Sequence, residues 1–132
     1  MEKELMVMIV EDRKDQAYIL AQILVANDFR VVCARNGHEA LTLIKEGMIP
    51  AVLVTDIKMP VLNGFELIEE LKRLEIRIPT IITSGCGQNS HFEAAYIRGV
   101  ENYLVKPFLP SRLIFRVNKA VGRLAQEPSD SI

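Results

Sequence analysis

Short apolar runs alternate along the chain with longer segments in which apolar residues recur at helical spacing. The runs are mostly rich in Val and Ile, and they cover Leu5–Val10, Arg30–Ala34, Ala51–Thr55, Thr80–Thr83 and Asn102–Val105. The first, third and fourth runs are continuously apolar, which is typical of strands buried on both faces of a parallel sheet. The pattern therefore predicts a parallel sheet that is covered by helices.

The segments between these runs are predicted to be amphipathic helices. Apolar residues share one helical face in the segments Ala17–Leu24, Ala40–Met48, Leu67–Leu71, Ala94–Ile97 and Leu113–Leu124, the fourth being the least regular. Asn-Gly and Ile-Pro pairs fall at several of the joints between elements. The order of elements is (βα) five times, which predicts an α/β doubly wound domain with helices on both sides of the sheet.

Size and composition suit a single globular domain. The chain has 132 residues, of which 49% are apolar and 25% are charged, as in an average globular protein. We expect residues 1–125 to form this domain. Residues 126–132 are polar and are predicted to be a tail or the beginning of a linker.

Charge and cysteine content limit the kinds of partner and the cellular compartment that we expect for this chain. The net charge is −1 and there is no basic stripe, which argues against direct binding of nucleic acid. Cys33 and Cys86 are far apart and neither lies in a CxxC pair, so a reducing cytoplasm is the simplest expectation. No stretch approaches the roughly 20 apolar residues of a membrane span. The sequence predicts a soluble, cytoplasmic protein.

Polar residues follow four of the five predicted strands. In chain order they are Glu11-Asp12, Asp56, Ser84-Gly85 and Lys106-Pro107. In an open parallel sheet, ligands bind beyond the carboxyl ends of the strands, which lie at one edge. We therefore expect three carboxylates, one hydroxyl and one ammonium group to converge at that edge.

Such a cluster suits a metal-assisted phosphoryl transfer. Neighbouring carboxylates repel one another, and a hard cation such as Mg²⁺, or Mn²⁺ in its place, relieves the repulsion and also binds phosphate oxygens. A carboxylate can attack phosphorus to form an acyl phosphate, while the metal and a lysine neutralise the transferred group. Each residue alone would be an ordinary loop, capping or surface residue; the combination indicates a phosphoacceptor site.

Four motifs resemble the receiver domains of two-component response regulators, of the chemotaxis-regulator type. They are Val10-Glu11-Asp12, Asp56–Gly64, Pro79–Gly85 and Tyr103–Phe108. They occur in the order of that family, and the resemblance covers about residues 5 to 124. It implies a flavodoxin-like fold with a five-stranded parallel sheet in the order 2-1-3-4-5.

The resemblance also implies a role for each matching position around the metal. Asp56 would be the nucleophile that takes a phosphoryl group. Asp12 and the backbone carbonyl of Lys58 would bind Mg²⁺ directly, together with Asp56, and Glu11 would act through water. Glu11 stands where the family more commonly has Asp, and it is one methylene longer.

Further implied roles concern the phosphoryl group itself. Lys106 would pair with it, Ser84 would hydrogen-bond to it, and Tyr103 would change its rotamer in response. The side chains of Lys58 and Cys86, two positions after the phosphoacceptor and the switch hydroxyl, would tune the phosphoryl lifetime. The Lys106-Pro107 peptide would be cis, as is usual in the family.

The implied partners are those of a phosphorelay. The phosphoryl source would be a sensor histidine kinase or a phosphotransfer protein, and the output would be a downstream effector protein or a fused output domain. Phosphorylation would act through the output face, which is formed by the fourth predicted helix, the fifth strand and the last helix. Homodimerisation through this face is a family habit.

Other classes of function remain open alternatives. A phosphorylation-independent interaction module with this fold would normally lack a site residue, whereas this chain keeps them all. A dehalogenase-type phosphatase needs a second Asp where Lys58 stands, and an ATPase of the Walker type needs a Gly-Lys-Ser/Thr loop that is missing from the sequence. Flavin binding is disfavoured because Glu11 and Asp12 would repel its phosphate.

Overall fold

The computed structural model describes residues 4–85, 94–95, 98–100 and 102–123. The strands within these residues are β1 (Met6–Val10), β2 (Arg30–Ala34), β3 (Val52–Asp56), β4 (Thr80–Ser84) and β5 (Asn102–Val105). The helices are α1 (Lys14–Ala26), α2 (Gly37–Lys45), α3 (Gly64–Arg73) and α4 (Pro110–Ala120). Within the described ranges, no helix is long and apolar enough to cross a membrane.

The five strands form one parallel sheet in the order β2-β1-β3-β4-β5. This confirms the predicted doubly wound α/β fold and its strand order. Val10 of β1 pairs with Thr55 of β3, and Ser84 of β4 pairs with Val105 of β5. The strands therefore end at nearly the same level, and the residues that follow them line one edge of the sheet.

Apolar side chains cover both faces of the sheet. In β1, Val7 and Ile9 belong to a core cluster with α1 and α4, whereas Met8 and Val10 belong to a second cluster with α2 and α3. A third cluster lies between α3, β4 and the residues before β5, and it includes Ile68 and Ile82. Burial on both faces explains why the sequence of β1 is continuously apolar rather than alternating.

Some predicted boundaries differ from the structure. The third and fourth strands run one residue further than predicted, because Asp56 pairs with Thr83 and Ser84 pairs with Val105. The second helix ends at Lys45, so the assignment of Met48 to its apolar face was wrong. Gly47 has a φ of 102°, and a glycine in this conformation ends a helix.

Part of the prediction lies outside the described residues. Of the predicted fourth helix, Ala94 and Ala95 are described and are helical. Ile97, Cys86 and residues 124–132 are outside the described ranges. The division into a domain of residues 1–125 and a tail of residues 126–132 stays a prediction.

Candidate functional site

Three carboxylates meet where β1 and β3 end. Glu11 and Asp12 follow β1 directly, and Asp56 is the last residue of the neighbouring strand β3. One carboxylate oxygen from each of the three residues lies within 4.8 Å of the other two. Glu11 is buried, Asp56 is half-buried and Asp12 is exposed. The cluster is therefore anchored in the protein and open to solvent on one side.

The donor atoms of this cluster fit a hard divalent cation. All are carboxylate oxygens. Such oxygens bind hard cations such as Mg²⁺ and Mn²⁺ in preference to softer metals. The backbone of Lys58 lies two residues beyond Asp56, and its side chain is exposed. These residues could supply part of an oxygen coordination sphere, with water or phosphate oxygens completing it.

The ammonium group of Lys106 joins the carboxylates from the end of β5, at the same edge of the sheet. Its Nζ donates to Glu11 Oε1 at 3.0 Å and to Asp56 Oδ2 at 3.4 Å. The backbone N–H of Lys106 donates to the carbonyl of Ser84 at 2.7 Å, which continues the pairing of β4 with β5 past the strand ends. The Lys106-Pro107 peptide is cis, as the resemblance implies.

Gln16 also contacts Lys106, and sequence reasoning missed it. Its Oε1 accepts a hydrogen bond from Lys106 Nζ at 2.8 Å. Gln16 lies in the first turn of α1, four residues after Asp12. The signal in the sequence was its position, since a helix that starts directly after the acidic pair places its first turn beside that pair.

Ser84 and Tyr103 lie on the β4–β5 side of the site. Ser84 is buried at the end of β4, one strand away from Asp56. Tyr103 is half-buried in β5, is paired with Ile82 of β4, and packs against the third core cluster. Cys86, which sequence reasoning placed near this site, is outside the described residues.

The loop from β3 to α3 is held at several points. Asp56 Oδ1 accepts a hydrogen bond from the backbone N–H of Ile57 at 2.8 Å, and Gly64 N–H donates to the carbonyl of Ile57 at 3.0 Å. At the start of α3, Asn63 and Glu66 form a capping box that satisfies two backbone donors. The loop that carries Lys58 is thereby fixed relative to Asp56.

Burial and charge act in opposite directions on Glu11. Burial raises the pKa of the Glu11 carboxyl, and the nearby charge of Asp56 raises it further. The hydrogen bond from Lys106, the backbone N–H of Arg13 and the positive charge of Lys106 lower this pKa, but the net shift is upward. Because three carboxylates cluster here and the ammonium of Lys106 is hydrogen-bonded to Glu11 and Asp56, a further cation at this edge would stabilise the ionised form of Glu11.

The chain matches the family model described as the response regulator receiver domain over residues 7–118. It belongs to this family. The receiver is therefore a signalling module of two-component phosphorelays rather than a turnover enzyme. Receivers interact with histidine kinases and output domains, and they generally bind Mg²⁺ at an acidic pocket.

Known proteins with a similar sequence or structure agree with this assignment. Response regulator SaeR of Staphylococcus aureus is 30% identical over 117 residues, which are 89% of this chain and 50% of SaeR. This receiver thus spans about half the length of the curated relatives that it matches. The receiver domain of Francisella response regulator 1452 superposes with a TM-score of 0.83 at 31% identity, covering 89% of this chain and 97% of that one.

A second solved structure is a DNA-binding response regulator of the LuxR family from Staphylococcus aureus. It superposes with a TM-score of 0.82 at 28% identity, and the match covers 89% of this receiver and 99% of that chain. Both comparisons concern the receiver fold, and both extend over nearly all of it.

Proposed function

We propose that this receiver accepts a phosphoryl group on Asp56 in a Mg²⁺-dependent reaction and thereby changes its affinity for a partner. The main support is the cluster of three carboxylates, whose oxygens lie within 4.8 Å of one another. The ammonium of Lys106 donates to two of them, Glu11 and Asp56. The phosphoryl source would be a sensor histidine kinase or a phosphotransfer protein.

The proposed metal ligands are the carboxylates of Asp12 and Asp56 and the backbone carbonyl of Lys58, with Glu11 acting through water. The clustering of carboxylate oxygens supports this set. Bound Mg²⁺ would neutralise negative charge on the phosphoryl oxygens and on the attacking carboxylate. Glu11 is the least exposed of the three acidic residues, which suits an indirect role better than direct coordination.

The transfer itself needs a nucleophile that the phosphodonor can reach and a fixed positive charge. An oxygen of Asp56 attacks phosphorus, the P–N bond of the donor phosphohistidine breaks, and the imidazole leaves with the bonding electron pair and takes a proton. Asp56 then carries an acyl phosphate. Lys106, already 3.4 Å from Asp56 Oδ2, donates to the oxygens of the transferred group. No general base is required, because Asp56 attacks as a carboxylate.

The proposed switch connects this reaction to the output face. Ser84 would hydrogen-bond to the phosphoryl group, and Tyr103 would change its rotamer and turn inward. Support comes from the pairing of β4 with β5, which places Tyr103 beside Ile82 and Ser84 beside Val105. Phosphorylation would then favour one of two conformations of the output face. The side chains of Lys58 and Cys86 would set how long the acyl phosphate lasts.

The output would be a downstream effector protein or a fused output domain, with homodimerisation through the output face. We further propose that residues 1–125 act as one receiver unit within either arrangement. Light scattering before and after treatment with a phosphodonor tests dimerisation, and an unchanged mass in both states would contradict it.

Phosphate uptake tests the proposed reaction directly. Incubation with Mg²⁺ and acetyl phosphate should add one phosphoryl group, as measured by intact-protein mass spectrometry. Asp56→Asn, or removal of Mg²⁺ with EDTA, should abolish the addition. Asp28→Asn is a matched control, because Asp28 is exposed on the turn after α1 with a φ of 69°, a conformation that Asn tolerates. A wild-type chain that stays unmodified would overturn the proposal.

A further inference from the structure

We propose that Gln16 is a positioning residue that holds the ammonium group of Lys106 in place for the phosphoryl group. This inference rests on the proposed function and adds a residue to it. It is based on the 2.8 Å hydrogen bond from Lys106 Nζ to Gln16 Oε1, which is the shortest of the three that this ammonium makes with the described residues.

All three donors of the ammonium group are used. A lysine ammonium has three N–H donors and no acceptor, and here they go to Gln16 at 2.8 Å, Glu11 at 3.0 Å and Asp56 at 3.4 Å. Because the ammonium can only donate, Gln16 must present its amide oxygen. Two short bonds therefore fix the position of Nζ, and the longest points at the phosphoacceptor.

Gln16 is uncharged, and this suits a site that must accept a negatively charged phosphoryl group. A phosphoryl group that arrives on Asp56 needs one of the three donors of Lys106, and the long bond to Asp56 is the one most easily exchanged. Glu11 would share its charge with a bound cation, which weakens its hold on Lys106. Gln16 supplies a hydrogen bond that does not depend on that cation and adds no negative charge to a site that already has three carboxylates.

The helix that carries Gln16 is packed against the core. Gln16 lies in the first turn of α1, which packs on the sheet through the buried Leu20 and Leu24. The residue before this helix is also attached to the site, since the backbone N–H of Arg13 donates to Glu11 Oε2 at 3.2 Å. A side chain on such an element holds its partner more precisely than one on a free loop.

The contact can be tested without phosphorylation. We expect the ¹⁵N-detected Nζ protons of Lys106 to exchange slowly with water in the wild type. Gln16→Met keeps the length of the side chain and replaces the oxygen by a weak acceptor, so exchange should become about tenfold faster. Gln16→Glu keeps an acceptor and should retain slow exchange. Gln22→Met changes an exposed glutamine on the same helix and should have no effect.

A double-mutant cycle then tests the role in phosphoryl transfer. Gln16→Met should slow Mg²⁺-dependent uptake from acetyl phosphate about tenfold, and it should have no further effect in a Lys106→Met background, because both changes remove the same interaction. Equal losses in the two backgrounds would overturn the inference, as would Nζ exchange that Gln16→Met leaves unchanged. If the wild type takes up no phosphate, the proposed function fails, and the exchange measurement alone decides whether Gln16 holds Lys106.

Discussion

Lys106 and Glu11 depend on each other within the candidate site. The side chain of Glu11 is 1% exposed and that of Lys106 is 21% exposed, and they form an ion pair at 3.0 Å. A buried carboxylate is costly unless it is paired and hydrogen-bonded. Loss of the ammonium would therefore leave a costly unpaired carboxylate in the folded chain, and the same ammonium lies beside Asp56.

Lys106→Met should destabilise the metal-free protein, because it leaves Glu11 buried without its ammonium partner. We expect the free energy of unfolding at neutral pH to fall by about 1–3 kcal/mol, with protonation of Glu11 limiting the loss. Urea denaturation followed by circular dichroism measures it. Lys14→Met replaces an exposed lysine and should change stability by less than about 0.5 kcal/mol. Equal stability of the two variants would contradict the argument.

Single site residues could be predicted from the sequence where their type is unusual for their position. Asp56 directly follows a buried apolar run, and Lys106 follows β5, so both could be found from strand ends alone. Gln16 could not be found in this way, because an amide on an amphipathic helix is an ordinary residue type, and only its position in the turn after the acidic pair set it apart. Its role depends on the direction in which α1 leaves β1, and that direction is set by tertiary packing.

Among the elements, the loop from β3 to α3 packs closely against the backbone at the starts of α2 and α3. A Cβ on Gly64 would lie 2.4 Å from the carbonyl oxygen of Asp56, and a Cβ on Gly37 would lie 2.5 Å from the carbonyl oxygen of Leu62. Both neighbours are backbone atoms, which cannot move aside as a flexible side chain can. The two glycines thus allow α3 and α2 to approach the loop that carries Lys58.

Gly64→Ala should therefore displace the backbone of Asp56. We expect the free energy of unfolding to fall by about 1–3 kcal/mol, and phosphate uptake to become slower than in the wild type under the same conditions. Gly85→Ala is the stability control, because no atom of the described residues lies within 4 Å of its added Cβ. A Gly64→Ala chain with wild-type stability and uptake would show that this contact does not fix the loop.

The element pattern was the most predictable part of the fold. Strands such as β1 and β3 are buried on both faces, so their sequences are continuously apolar and stand out. The end of α2 was less predictable, because Met48 continues the helical spacing of apolar residues although Gly47 has already ended the helix. Local conformation at one glycine overrides the periodicity there.

For the molecule as a whole, the carboxyl ends of the sheet concentrate negative charge. Three carboxylates cluster there, and the ammonium of Lys106 forms ion pairs with Glu11 and Asp56. The mutual repulsion of the carboxylates disfavours the metal-free folded state. Any ligand that binds the folded state and not the unfolded state stabilises the fold by mass action. Mg²⁺ binding should therefore raise the free energy of unfolding of the entire domain.

Mg²⁺ should raise the melting temperature of the wild type above that measured in EDTA. The free energy of unfolding should rise by about 2.7 kcal/mol when free Mg²⁺ is 100 times its Kd. Asp56→Asn should be more stable than the wild type without metal, because one repelling charge is gone, and it should gain less from Mg²⁺. Asp28→Asn should respond to Mg²⁺ as the wild type does. Melting curves that are identical with Mg²⁺ and with EDTA would contradict a metal site at this edge.

The location of the phosphoryl group decides whether Asp56, at the carboxyl ends of the strands, is the phosphoacceptor. After reaction with acetyl phosphate and Mg²⁺, borohydride reduces an acyl phosphate to the corresponding alcohol, and tandem mass spectrometry locates the residue that changed. We expect homoserine at position 56 and at no other aspartate. Reduction at a different residue, or no reduced residue in a chain that has taken up phosphate, would contradict it.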